Sequence, residues 1–323
     1  MEKFNYKSLE EYKRLSTEEK KQYLEDLSIY LKGIREKVIG HKFRKKIHPL
    51  LLNVMGNMNK FELVPVGMTD KNKEEMLKIM EDGPVIFAIN HSNVNDVPTS
   101  GTIIKEHGYL LASDEVRGKF NGFLFELIGV VWVQREKKAT KKKELSPKEH
   151  MIKLLQENQS IKTFPERTWN VSDNEIILPF KWGDVSISQE TGRPIIPIIM
   201  EYDYNTNKCH YNIGEAIYIP KGADKLEENN NLRDKMATLR YEIWETKDIE
   251  RKQKPGYLTG KEYTDLARKE FEEYKKELRE EYPTFDEQEE AKMIYRPYTT
   301  QEEAFKHLEK IKPTTKNGFL FSK

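Results

Sequence analysis

The chain has 323 residues, of which 37% are hydrophobic and 34% charged, and its 55 basic and 54 acidic side chains leave a formal net charge of +1. That length suits one large α/β domain with appendages or two smaller domains, and the balanced charge excludes a global pull toward nucleic acid. The single cysteine, Cys209, excludes an intramolecular disulfide and a thiolate metal cluster.

The amino-terminal stretch MEKFNYKSLEEYKRLS has no apolar signal-peptide core. No run reaches the roughly 18 apolar residues that a membrane-spanning helix needs. A soluble or peripheral protein is expected, cytoplasmic and seated on the inner face of the cell membrane.

Residues 1–60 read as amphipathic helices. Ser16 and Glu19 form a capping box. Tyr23, Leu24, Leu27, Tyr30, Leu31 and Ile34 then recur at helical spacing. GHKFRKKIHPLLLNVMGNM follows, with a basic front, an apolar back and Pro49 expected to break the helix. From Leu31 to Lys60 there are eight Lys or Arg against one acid, Glu36. Cations beside an apolar stripe suit either a core-packing helix or a surface for anionic headgroups.

From residue 61 to 250 strand-like and helical runs alternate. The strand-like runs are FELVPV, PVIFAI, GYLLAS, GVVWVQ, SIKTF, RPIIPIIM, KCHYNIG and AIYI. The helical ones are EEMLKIME, VPTSGTIIKEHG, NGFLFELIG, PKEHMIKLLQENQ and ADKLEENNNLRDKMATLRYEIWETK. This alternation predicts an α/β domain with a central, largely parallel sheet flanked by helices. The prolines of RPIIPIIM suggest an edge strand or a bulge. Residues 251–323 read as a charge-rich helical appendage, and no internal repeat stands out.

In an open α/β sheet, sites form beyond the carboxyl ends of strands. His91 directly follows the apolar run GPVIFAI, so it belongs at such an end. Asp96 reads as the N-cap of a helix that ends near Gly108. A turn closed by a helix start can bring the Asp96 carboxylate to the His91 imidazole. A carboxylate on one ring nitrogen makes the other a better base. GVVWVQRE ends in Gln134 and Arg135. FPERTWN supplies Glu166, Arg167, Thr168 and Trp169.

In this order and spacing, the blocks resemble the glycerolipid acyltransferase family, the glycerol-3-phosphate and lysophosphatidic acid acyltransferases. Asn90, His91 and Asp96 match its Asn-His-x4-Asp block, the HX4D motif. Gly129 to Arg135 match the strand that ends in arginine. Phe164, Pro165, Glu166 and Thr168 match Phe-Pro-Glu-Gly-Thr-Arg. Pro194 to Ile199 match the final strand, and LPFKWG, with Lys181, resembles the turn before it. Arg167 stands where the family has glycine, and Trp169 where it has arginine.

The resemblance implies a glycerol-3-phosphate acyltransferase-like fold. It implies transfer of an acyl group from acyl-CoA or acyl carrier protein to a hydroxyl of a lysophospholipid such as 1-acylglycerol-3-phosphate. His91 and Asp96 would be catalytic. Asn90, Arg135, Glu166, Arg167, Thr168, Trp169 and Lys181 would bind substrate, with Glu166 positioning the acceptor or bracing the arginines. Arg167, two residues before the family's cation, would point to the same side if the segment is extended. Backbone N–H groups after His91 would stabilise the oxyanion. No metal or cofactor is implied beyond the thioester co-substrate; a membrane surface is an expected partner and nucleic acid is not. The alternatives are a glycan or glycolipid acceptor, a hydrolase using Ser92, and a non-catalytic membrane-binding scaffold.

Overall fold

In a computed structural model of the chain, the described residues are 7, 9–38, 40–58, 61–92, 95–113, 125–133, 145–170, 176–181, 183–203 and 206–253, with scattered positions from 255 to 276. Arg135, Gln134 and nearly all of the expected C-terminal appendage lie outside them.

Seven strands form one sheet in the order β1-β7-β6-β2-β5-β3-β4. They are β1 (Glu62–Pro65), β2 (Ile86–Ile89), β3 (Tyr109–Ser113), β4 (Val130–Val133), β5 (Ile161–Thr163), β6 (Ile195–Asp203) and β7 (Lys208–Ile213). Every pairing is parallel except β6 with β7. The expected strand AIYI is reduced to a bridge between Ile195 and Ile217.

Both faces of the sheet are covered, which is why β2 is apolar at every position. Ile86 and Ala88 face a cluster built with α6 (Pro147–Gln156), α7 (Gly183–Thr191) and α8 (Lys225–Lys252). Val85, Phe87 and Ile89 face one built with α4 (Thr69–Asp82) and α5 (Asp96–Ile104). The run GDVSISQET, which has no apolar period, forms α7 because Asp184 and Ser188 are buried and bonded: Thr163 Oγ1 donates to Asp184 at 2.7 Å, and Ser188 Oγ to the Arg193 carbonyl at 2.6 Å.

Of the expectations about proline, the edge strand and the helix break fail, and the bulge is met. Pro197 lies in β6, an interior strand between β7 and β2, not at an edge. The β6–β7 ladder is interrupted between the Ile198–Ile213 pair and the Ile195–Ile217 bridge, so no ladder bond there calls for the N–H that proline lacks. Pro49 does not end its helix either.

At the amino terminus, α1 (Leu9–Arg14), α2 (Thr17–Val38) and α3 (His41–Met58) precede the sheet. The capping box forms as expected: Ser16 N–H donates to Glu19 at 2.8 Å and Glu19 N–H to Ser16 Oγ at 3.3 Å. α3 runs through Pro49. It loses one intrahelical bond there, while polar anchors pin the preceding turns to the core. His41 Nδ1 lies 2.6 Å from the Tyr109 hydroxyl, Arg44 donates to that hydroxyl at 3.1 Å, and His48 Nε2 lies 3.1 Å from the Lys105 carbonyl. Phe43, Leu50, Val54, Lys42, Lys45 and Lys46 are exposed.

Gly129, just before β4, has φ +97, and a Cβ there would lie 2.7 Å from the Tyr109 ring. Gly129→Ala is expected to cost about 2 kcal/mol or more, from left-handed strain plus overpacking. Urea denaturation of the two proteins measures it.

Candidate active site

The site forms where β2 and β5 end side by side. Parallel pairing puts their carboxyl ends at the same sheet edge, so His91, two residues past β2, meets Phe164 to Asn170, which follow β5. The ring of Phe164 stacks on the His91 imidazole at 4.4 Å between centroids and 26° between planes. The Trp169 ring meets it edge-on at 5.9 Å. Two aromatic walls thus fix the imidazole plane and keep one side of it apolar. The His91 side chain is 21% exposed, so its free edge reaches solvent.

Asp96 is fully buried. Its Oδ2 lies 2.7 Å from His91 Nδ1 and accepts the Ser92 N–H at 2.6 Å. The expected approach of carboxylate and imidazole is met, with two changes in local detail. Asn95 holds the N-cap position and Asp96 is the first helical residue, so the carboxylate turns back to bond the chain before the helix. The helix ends at Ile104 rather than near Gly108, because Lys105 turns left-handed at φ 60. With Nδ1 facing a carboxylate, the proton sits on Nδ1 in the neutral ring and Nε2 carries the lone pair.

Glu166 is 2% exposed, and both of its oxygens are committed. Oε1 accepts the His91 N–H at 2.8 Å and Oε2 the Leu178 N–H at 2.9 Å. It therefore braces two backbone segments, not an acceptor molecule. Burial pushes its carboxyl up to about 7, against the pull of those two N–H groups and of the Arg240 and His91 charges. The N–H groups of His91 and Ser92 are both taken by carboxylates, so neither is available to an oxyanion.

Asn90 is likewise part of the scaffold rather than a substrate contact. It is 1% exposed. Its Oδ1 accepts the Met200 N–H at 2.7 Å, and its Nδ2 donates to the Met200 carbonyl at 2.9 Å and to Ser92 Oγ at 3.1 Å. The pair of bonds to β6 locks the exit of β2, and with it the position of His91. Thr168 is buried. Asn170, which the sequence reading passed over, donates its N–H to the His91 carbonyl at 2.8 Å. Its isolated place after Trp169 carries no sequence signal for that bond.

Arg167 is exposed, and its segment is a turn, not an extended strand: its N–H donates to the Phe164 carbonyl at 2.9 Å. The period-two argument for its direction therefore does not apply. Its φ is +68, so an arginine occupies the left-handed conformation that glycine adopts without cost. Lys181 sits on the loop before α7, its ammonium held below the usual lysine range by partial burial and by the Arg167 charge nearby. Among the described residues, Arg167 and Lys181 thus bring two cations together beside the turn. Trp169 and the stretch around Arg167 stand next to His91, whereas Arg135 lies outside the described residues.

Two stability measurements test this geometry. The carboxyl of Glu166 is raised from the ordinary 4.5 to about 7. Its stabilising contribution is therefore full below pH 4.5 and is lost as pH rises through 7, on the order of 3 kcal/mol. Glu166→Gln is expected to remove that part of the slope in melting temperature against pH. Arg167→Gly is expected to raise stability by about 0.5–1 kcal/mol, the left-handed strain outweighing glycine's extra chain entropy, as read by chemical denaturation.

Part of the chain is similar to known proteins. Residues 68–201 match the family model described as Acyltransferase. Human 1-acyl-sn-glycerol-3-phosphate acyltransferase beta is 25% identical over 142 residues, which is 42% of this chain and 49% of that protein; the match thus spans about half the length of the curated relative. A crystal structure of the 1-acyl-sn-glycerophosphate acyltransferase PlsC from Thermotoga maritima is similar with a TM-score of 0.49 and 18% identity, over 70% of this chain and 89% of that one. The matched segment begins just before α4, ends within β6, and contains His91, Asp96, Glu166 and Lys181. Over this α/β core, residues 68–201, the chain is similar to the acyltransferase family.

Proposed function

We propose that the protein transfers an acyl group from a thioester, acyl-CoA or acyl carrier protein, to a hydroxyl of a lysophospholipid of the 1-acylglycerol-3-phosphate type. The observation that carries this reading is the pair formed by His91 Nδ1 and the buried Asp96 carboxylate, 2.7 Å apart. In the reaction His91 Nε2 takes the acceptor hydroxyl's proton as its oxygen attacks the thioester carbonyl. The C–S bond breaks as the thiol leaves, and the imidazolium returns the proton to the sulfur. Asp96 holds the tautomer and stabilises the imidazolium. The acceptor hydroxyl stands where a serine would in a triad, so no acyl-enzyme forms. Ser92 has no Gly-x-Ser-x-Gly turn around it, which argues against a hydrolase. The acceptor phosphate meets Arg167 and Lys181 through charge-assisted hydrogen bonds, with Arg135 a third candidate for that role.

A membrane surface supplies such a substrate. The exposed Phe43, Leu50 and Val54 with the exposed lysines of α3 suit contact with anionic headgroups. No helix among the described residues is long and apolar enough to cross a membrane. A second reading, in which a glycan or glycolipid is the acceptor, rests on Trp169. Its ring lies beside His91 where the family places arginine, and a flat aromatic face suits a sugar ring.

The test incubates purified protein with radiolabelled acyl-CoA or acyl carrier protein and lysophosphatidate. Labelled phosphatidate is expected, and His91→Ala is expected to lower the rate roughly 10²–10⁴-fold, with Asp96→Asn also impaired through the wrong tautomer. Absence of product with lysophosphatidate, but transfer to a glycolipid, would move the acceptor to the second reading.

A further inference from the structure

The site depends on a piece of irregular chain, residues 176–181, that lies in sequence between the FPERTWN region and α7. Its Leu178 N–H is one of the two groups that Glu166 accepts, and it ends in Lys181. Ile177, Leu178 and Phe180 in this loop are buried. A buried loop without strand or helix bonds must find partners for its carbonyl groups elsewhere. It finds them chiefly on one helix.

Three side chains of α8 take those carbonyls. Asn229 Nδ2 donates to the Phe180 carbonyl at 3.0 Å. Arg233 donates to the Ile177 carbonyl through Nε at 2.9 Å and Nη2 at 2.6 Å. Arg240 donates to the Ile176 carbonyl through Nη1, while its Nε and Nη2 pair with Glu201 at 2.8 Å each. The three positions are four and seven residues apart, which is one face of a helix. Leu232, Met236, Ala237 and Ile243 complete the buried side of α8. From the other direction Asn170 bonds the same loop, Nδ2 to the Ile176 carbonyl at 3.3 Å, and bonds His91 through its own N–H.

Arg233 is 2% exposed. Burying a guanidinium costs more than burying an aliphatic side chain of similar volume. What the guanidinium adds is a forked grip on one carbonyl, which fixes where the next N–H points. That N–H belongs to Leu178.

We propose that α8, which lies beyond the segment matching the acyltransferase model, belongs to the active-site machinery: Asn229, Arg233 and Arg240 are positioning residues that hold the 176–181 loop against Glu166, and through Glu166 set the place of His91 and, at the loop's end, of Lys181. This rests on the acyl-transfer reading given above. A small displacement of a reacting group costs rate out of proportion to the stability lost, so the clamp acts on turnover and on acceptor binding, not on the thioester.

The experiment compares wild type with Arg233→Met, Arg233→Lys and Asn229→Ala. It uses steady-state kinetics with acyl-CoA and lysophosphatidate, melting curves, and hydrogen exchange over residues 176–181. For Arg233→Met, kcat is expected to fall between about tenfold and a hundredfold. Its KM for the acceptor should rise several-fold and its KM for acyl-CoA should stay within about twofold. The Leu178 amide should exchange faster. Arg233→Lys, which can give one of the two bonds, should recover part of the loss, and Asn229→Ala should move the same quantities less. Folded variants with kcat and acceptor KM within about twofold of wild type would overturn the clamp, whatever their melting temperatures; if Arg233→Met does not fold, Asn229→Ala and Arg233→Lys decide on the same criteria. If wild type itself yields no product, it is the acyl-transfer reading that fails, and the exchange data still judge the clamp: an unchanged Leu178 amide in the variants overturns it.

Discussion

A carboxylate with no access to water, Glu166, accepts one backbone N–H from the end of β2 and another from the loop before α7. The sheet alone leaves both N–H groups without a ladder partner: His91 lies past the end of β2, and Leu178 lies in the irregular loop before α7. One side chain answers both needs, and in doing so it sets the distance between the histidine and the cationic loop. The cost is visible in its pKa, which burial raises by more than the two N–H groups lower it. A glutamine could accept only one of the two bonds, and a shorter aspartate would not span the gap between the segments. The rest of the site is arranged around this brace.

His91 is immobilised on every side but one. Its backbone N–H goes to Glu166, its carbonyl takes Asn170, its Nδ1 faces Asp96, and Phe164 and Trp169 hold its ring. The remaining edge, Nε2, faces outward. A base prepared in this way loses little freedom when an acceptor arrives, which is the physical content of preorganisation. Asp96 is held as firmly, by its own place at the start of α5 and by Ser92.

The sequence is informative where residue type and position coincide. An unbroken apolar run that stops at a histidine places that histidine at a sheet edge, and a helix start five residues on returns a carboxylate to it. The strand–helix alternation similarly implies a largely parallel sheet covered on both faces. Other features depend on partners far along the chain. Asn90 looks like a polar residue at a binding site, yet its amide is used by Met200, more than a hundred positions away. Arg167 looks like a displaced cation on a strand, but a hydrogen bond to Phe164 makes a left-handed turn of it. Pro197 reads as an edge or bulge residue, and only the register of its neighbour, slipped by one residue between the Ile198–Ile213 and Ile195–Ile217 pairs, decides for the bulge. α7 has no apolar period, so only burial of its polar residues by β5 and the Arg193 carbonyl marks it as a helix. Nothing in the pattern of their helix marks Arg233 and Arg240 as buried, although both are turned inward.

The sheet is also assembled from contacts of very different reach. β6 and β7 form a hairpin and can pair as soon as they are made, and α8 follows directly to cover one face. β1 joins the sheet only through β7, with Glu62 opposite Lys208, nearly the full length of the α/β unit away in sequence. Closing a loop of that size is entropically expensive and rewards the chain only when β7 is already in place. Among the described strands, the β1–β7 pairing thus carries the greatest loop-closure cost. β2 and β5, which carry the histidine and its brace, lie in the middle of the sheet, away from that edge.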